Sequence, residues 1–149
     1  MTPTRIRLLP VWFAIAGGLV YLLVDNYHSL LPALSVGGPI GLGVVALGEA
    51  VVARGTRARL EGRPRTKPIE PITVARLAAL GKATALVAAP LAGAYAGLLG
   101  RVLQLDSAVA RSDTRIGIAG VVCGVGMCAA GLFLERVCRV KQPPPSDET

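Results

Sequence analysis

The sequence contains few of the residues from which catalytic and metal sites are built. Its 149 residues include a single histidine, His28, so no pair of histidines and no Cys/His metal-ligand spacing can form. The carboxylates form no cluster along the chain. The three cysteines, Cys123, Cys128 and Cys138, are an odd number and give no disulfide framework. We therefore expect no enzymatic activity, no cofactor and no metal.

Aromatic residues are also scarce, at 4% of the chain, and the basic stretch from Arg54 to Arg76 contains none of them. Proteins that bind single strands of nucleic acid stack the bases on aromatic side chains. The net charge of +7 therefore needs another explanation. Membrane proteins collect Lys and Arg in their cytoplasmic loops and beside the lipid headgroups. We expect a lipid bilayer, and not nucleic acid, as the partner of this basic chain.

Long apolar blocks dominate the remaining sequence. Apolar residues make up 52% of the chain and charged residues only 17%, and most of the charges lie between the blocks. Blocks of this length predict transmembrane helices joined by polar loops. We predict an all-α polytopic membrane protein, with four transmembrane helices in an antiparallel bundle that forms a single domain over residues 1–141. The predicted spans are 8–24, 34–53, 72–103 and 116–134, with a basic cytoplasmic loop at 54–71 and a disordered tail at 142–149.

The third block is unusually long for a single crossing. Its ~30 residues would extend ~45 Å as a helix, which exceeds the ~30 Å hydrocarbon core. We therefore expect this helix to tilt or to protrude from the membrane. Thr73 is the predicted N-cap, and Pro90 is expected to kink the middle of the span.

The ends of the second and fourth helices are harder to place from sequence. Pro39 is the predicted start of regular helix in the second block, which should continue out of the membrane to about Leu60. Polar residues between Gln104 and Arg115 predict a linker before the fourth helix. Asp113 is then a suitable cap for a helix that begins near residue 116.

The distribution of Lys and Arg predicts the orientation. With the N-terminus inside, 13 of the 16 basic residues face the cytoplasm, and only Arg101, Arg111 and Arg115 face outward. The reverse orientation would violate the positive-inside rule. We expect a multi-pass protein of the plasma membrane with both termini in the cytoplasm.

Glu49 and Lys82 stand out among the charged residues of the predicted spans, because each lies one to two turns inside the cytoplasmic boundary. One hypothesis is a buried Glu49–Lys82 pair that lines a polar pocket open to the cytoplasm. The alternative is that Lys82 extends to the interface and Glu49 meets Arg54 or Arg76 there.

The basic loop is the second candidate site. Clustered Lys and Arg beside a span are typical of contact with anionic lipid headgroups, and the same charges suit a cytoplasmic protein partner. The residues concerned are Arg54, Arg57, Arg59, Arg63, Arg65, Lys67 and Arg76.

Rows of small residues predict close helix packing. Gly93 and Gly97 form a G-x-x-x-G in the third helix, and Gly120 and Gly124 belong to a similar row in the fourth. The two rows could pack against each other within one chain. Alternatively, one row could form the seam of a homo-oligomer.

Three passages indicate a family: Pro3-Thr4-Arg5-Ile6-Arg7, Ala75 to Ala83 at the start of the third span, and Leu134-Glu135-Arg136-Val137-Cys138-Arg139. With the basic proline-containing loop, they resemble DUF3180, an actinobacterial family of uncharacterised membrane proteins. The resemblance implies a four-helix membrane protein without an established activity. Its genes tend to lie beside folate-biosynthesis genes, which suggests a link to folate or pterin metabolism. Gly81 replaces the alanine that is usual before Lys82.

These observations favour a non-enzymatic protein at the inner face of the plasma membrane, acting as a structural or interaction partner. The alternative is a small transporter or transporter subunit that uses Glu49 and Lys82. Four helices would form a pathway only in an oligomer.

Overall fold

The computed structural model describes residues 8–26, 35–60, 70–104 and 108–139, and the regular structure in these segments is helical throughout. The predicted tail at 142–149 and the loop residues Arg63, Arg65 and Lys67 lie outside the described residues. The helices are α1 (Leu8–Asn26), α2 (Gly37–Leu60), α3 (Pro71–Val102) and α4 (Ala108–Arg139).

All four helices are long and apolar enough to cross a membrane. Large apolar side chains are exposed on each of them, for example Leu19, Leu47, Val87 and Val122. Soluble domains rarely expose apolar surface on this scale, whereas lipid tails cover it at no cost. The chain is therefore a multi-pass membrane protein, and the predicted all-α class with four spans is confirmed.

The starts of two helices differ slightly from the predictions. α2 begins at Gly37, two residues before Pro39. α3 begins at Pro71, with Glu70 in extended conformation as the N-cap. Thr73 lies inside the first turn, so its prediction as the cap is wrong. A proline is well suited to the first helical position because the backbone N–H it lacks would have no partner there.

The start of α4 shows a larger difference. This helix begins at Ala108, eight residues before the predicted start at Ile116, so Asp113 lies inside the helix and does not cap it. Thr114 donates a hydrogen bond of 2.7 Å from Oγ1 to the carbonyl of Ala110 within the same segment. The polar residues directly before Ile116 do lie outside the apolar span, but they are still part of the helix.

The helices pack in the spatial order α1, α3, α4, α2, with α3 and α4 at the centre. Tyr95 and Ala92 of α3 face Gly120 and Gly124 of α4, so these two helices are antiparallel. α1 runs parallel to α3, because Phe13 lies beside Gly93 and Tyr21 lies near Gly97 and Gly100 further along. α2 runs parallel to α4, and it packs mainly against that helix.

We call the end of the bundle where α1 and α3 begin and α2 and α4 end the basic end. There Ala53 of α2 and Leu134 and Cys138 of α4 form a buried cluster. Val74, Leu77 and Ala78 of α3 pack against this cluster. Three helices therefore converge at the basic end.

The opposite end of the bundle joins α1 to α3 through polar contacts. Nε of Arg101 lies 3.1 Å from Oδ1 of Asp25, an electrostatic contact rather than an aligned hydrogen bond. Gln104 donates a hydrogen bond of 3.1 Å from Nε2 to the hydroxyl of Tyr21. These contacts fix the register of the two parallel helices at this end.

Candidate functional site

Glu49 is the charged side chain that the structure buries inside a span. It is 7% exposed, and its Oε2 has no hydrogen-bond partner in the described segments. Ala53 and Thr56, one and two turns further along α2, are buried on the same side. The opposite side of α2 exposes Leu47 and Val51. α2 therefore turns its carboxyl group towards the bundle and its apolar side chains towards lipid.

The register of α2 and α4 shows what lies at the level of Glu49. A Cβ atom placed on Gly43 would lie 3.5 Å from Sγ of Cys123, and Ala53 lies in the cluster with Leu134. Glu49 lies between these two contacts, level with the α4 turns that hold the buried residues Met127 and Ala130. The carboxyl group is thus buried at the level of apolar side chains, one turn inside the cluster at the basic end.

Three basic residues were predicted as possible partners of Glu49, and the structure places each of them. Lys82 is half-buried on α3, and α2 makes little direct contact with that helix. Arg54 and Arg76, the alternative partners, are both exposed at the basic end. Which of these side chains pairs with Glu49 therefore stays a prediction.

Two further polar residues, Thr56 and Thr84, are buried and were not predicted from the sequence. Thr84 donates a hydrogen bond of 3.0 Å from Oγ1 to the carbonyl of Leu80, so its own helix uses its donor. Thr56 follows Glu49 by seven residues, which places both on one face of α2. This spacing was a sequence signal that Thr56 is buried on the same side as Glu49. The described residues contain no group of three His, Cys, Asp or Glu side chains that could hold a metal ion.

The candidate lipid-contact residues form an exposed surface at the basic end. We call Arg54, Arg57, Arg59 and Arg76 the basic surface; all four side chains are exposed. The first three lie on the last two turns of α2, which remains helical to Leu60 as expected. A continuous helix therefore carries these arginines out of the apolar span.

The glycine rows take different partners. Gly120 lies against the ring of Tyr95, and a Cβ atom on Gly124 would lie 2.9 Å from Cβ of Ala92, so both glycines face α3. Gly93 and Gly97 instead face α1, where an added Cβ atom would clash with the carbonyl oxygens of Phe13 and Gly17. The expectation that the two rows face each other is therefore wrong for Gly93 and Gly97. Gly17 in the first span was the sequence signal for this contact.

Gly81 lies at a second close approach between helix backbones. A Cβ atom on Gly81 would lie 2.6 Å from the carbonyl oxygen of Gly131, and one on Gly131 would lie 2.7 Å from the carbonyl oxygen of Gly81. Real Cβ atoms do not approach backbone this closely, so an alanine at position 81 would push α3 and α4 apart.

The family model described as "Protein of unknown function (DUF3180)" matches residues 9–142. The chain belongs to the DUF3180 family. The match confirms the resemblance seen in the sequence, and it covers all four helices, so the DUF3180 unit here is the whole bundle. No curated protein matches the chain. No solved structure matches it either.

Proposed function

We propose that this DUF3180 protein is a non-enzymatic protein of the plasma membrane, acting as an interaction partner at the inner face. Its basic end and both termini face the cytoplasm, and the basic surface binds anionic lipid headgroups. The observation that carries the proposal is the exposure of Arg54, Arg57, Arg59 and Arg76 at one end of the bundle.

The two ends of the bundle differ in the arrangement of their charged residues. At the opposite end, Arg101 contacts Asp25, and Asp113 lies between Arg111 and Arg115 on α4. At the basic end, the α2 arginines project where the helix leaves its apolar segment. The cytoplasmic leaflet is the more anionic one, and each nearby Lys or Arg contributes about 1 kcal/mol of attraction. This asymmetry supports the proposed orientation.

The chemistry of arginine suits a phosphate-rich surface. Its planar guanidinium group donates paired hydrogen bonds to phosphate oxygens. Held on a helix, Arg54 and Arg59 lose less conformational freedom on binding than they would in an extended loop.

The same surface is available to an acidic cytoplasmic protein. The gene neighbourhood of the family suggests an enzyme of folate or pterin metabolism in an actinobacterium as that partner.

Neutralising the basic surface should weaken the binding of anionic lipid. We expect Arg54→Gln with Arg59→Gln to reduce the affinity of the purified protein for phosphatidylglycerol about fivefold per arginine, from about 1 kcal/mol each. The binding of phosphatidylcholine should not change. Native mass spectrometry of lipid-bound states in mild detergent measures both affinities.

The matched control is Arg111→Gln with Arg115→Gln, which removes two exposed arginines from the opposite end. This control should retain phosphatidylglycerol binding. Equal losses in both double variants would show that only total charge matters, and the proposed role of the basic surface would then be wrong.

A small transporter or transporter subunit, acting as an oligomer, is the second candidate. The burial of Glu49 without a hydrogen-bond partner for Oε2 in the described segments favours it. Ionisable residues inside spans commonly mark substrate or ion pathways. A protein that is strictly monomeric in mild detergent and binds no small molecule would contradict this candidate.

A further inference from the structure

An apolar groove of about 380 Å³ opens in the half of the bundle nearer the basic end. Leu9 and Phe13 of α1 form one wall, and Ala129 and Leu132 of α4 form the other. Its volume is within the range of ~300–1,000 Å³ that is usual for small-molecule sites.

Small side chains keep this groove open. Its floor is α3, which contributes Ala89 and Ala92. α1 packs mainly against α3, so it leaves a gap beside α4 that alanine side chains are too short to fill. The lining offers hydrocarbon contacts and no charged side chain. Such a groove suits a hydrocarbon chain.

Cations lie at the end of the groove that faces the basic end. Arg136 is exposed and follows Leu132 by four residues and Ala129 by seven, so it continues the groove-facing side of α4. Lys82 precedes Ala89 by seven residues and continues the floor. Gly81 lies against the backbone of Glu135, so Lys82 and Arg136 are at one level.

The charge at this level matches a single phosphodiester. Lys82 and Arg136 contribute two positive charges, and the half-buried Glu135 contributes one negative charge. On α3 and α4, one net positive charge therefore lies about two turns from the alanine floor, roughly 10 Å at 1.5 Å per residue. In a phospholipid, the phosphate likewise lies just outside the hydrocarbon layer that holds its acyl chains.

We infer that this groove is a binding site for one anionic phospholipid of the inner leaflet, with an acyl chain along Ala89 and Ala129 and the phosphate beside Arg136 and Lys82. The leaflet follows from the proposed orientation, while the site itself does not involve the basic surface. A second copy of the chain fits less well, because the glycine rows of α3 and α4 already pack against α1 and α3 within one molecule.

Photolabelling of the full-length protein tests the site. The probes are phosphatidylglycerol and phosphatidylcholine that carry the same diazirine-modified acyl chain, and the labelled peptides are identified by mass spectrometry. We expect phosphatidylglycerol to label the 125–132 segment of α4 preferentially. Ala129→Phe should abolish this labelling by filling the groove. Arg136→Gln should reduce it about fivefold, the fold-change that corresponds to about 1 kcal/mol for one interfacial arginine.

Matched controls separate the groove from general effects. Ala119→Phe adds the same ring to another exposed position of α4, and Arg115→Gln removes an exposed arginine from its other end. Both should leave the labelling of 125–132 unchanged. Arg54→Gln with Arg59→Gln should also leave it unchanged, which distinguishes this site from the basic surface.

Three results would overturn the inference. The first is uniform labelling along all spans, and the second is equal labelling by both lipids. The third is unchanged labelling of 125–132 in both Ala129→Phe and Arg136→Gln.

Discussion

Gly93→Ala and Gly97→Ala are each expected to destabilise the protein by about 1–3 kcal/mol, the usual cost of overpacking. In an exposed helix, replacing glycine by alanine stabilises by up to about 1 kcal/mol. Here the sign reverses, because the new Cβ atoms would clash with the carbonyl oxygens of Phe13 and Gly17 on α1. Either α1 moves away from α3, or its helix distorts. The free energy of unfolding in mixed detergent micelles measures the loss.

Gly41→Ala and Gly48→Ala provide the matched comparison. A Cβ atom at either position meets no atom within 4 Å, so these variants should be neutral or slightly more stable. If all four alanine variants had the same stability, α1 would not pack on α3 at Gly93 and Gly97, and the helix order derived from these contacts would be wrong.

Glu49→Met is expected to stabilise the protein by about 1–3 kcal/mol. Glu49 is buried at the level of apolar residues, and its Oε2 has no hydrogen-bond partner in the described segments. A charged residue at the bilayer centre costs ~2.5–3.5 kcal/mol on insertion scales, and less near the boundary. Methionine has a similar length and fills the same space without a charge. The same unfolding measurement reports the gain.

Glu135→Met is the contrasting variant. Glu135 is half-buried on α4 and has a polar or electrostatic contact in the structure, so the loss of its carboxylate should lower stability. If Glu49→Met lowered stability as much as Glu135→Met, Glu49 would have a stabilising partner after all. A gain in stability would instead mark Glu49 as a residue retained for function, as transporter sites often are.

The apolar blocks alone predicted the number of spans. Block length is set by the thickness of the bilayer, which makes this signal strong. The helix ends were less predictable. α4 begins at Ala108 because a helix can continue through polar residues such as Arg111 and Asp113 once it leaves the hydrocarbon layer. Hydropathy reports the solvent around a segment and not its backbone conformation.

Helix neighbours could not be read reliably from the connections. A short connection made α3 and α4 natural partners, and they do pack together. The same reasoning did not reveal that α1 lies along α3. These two helices are distant in sequence, and their close contact depends on glycines that face each other, such as Gly17 and Gly93. The groove beside Ala129 is also a property of the assembled bundle. Its only sequence signal is Arg136 at the end of the α4 face that includes Ala129.

The side of the membrane that the basic end faces is the central question, and cysteine accessibility in intact cells tests it most directly. In a background without the three native cysteines, Arg59→Cys and Arg111→Cys place single thiols at opposite ends of the bundle, on exposed positions. A membrane-impermeant maleimide should label Arg111→Cys in intact cells, and Arg59→Cys only after permeabilisation. Labelling of Arg59→Cys in intact cells, with protection of Arg111→Cys, would place the basic surface outside and contradict the account.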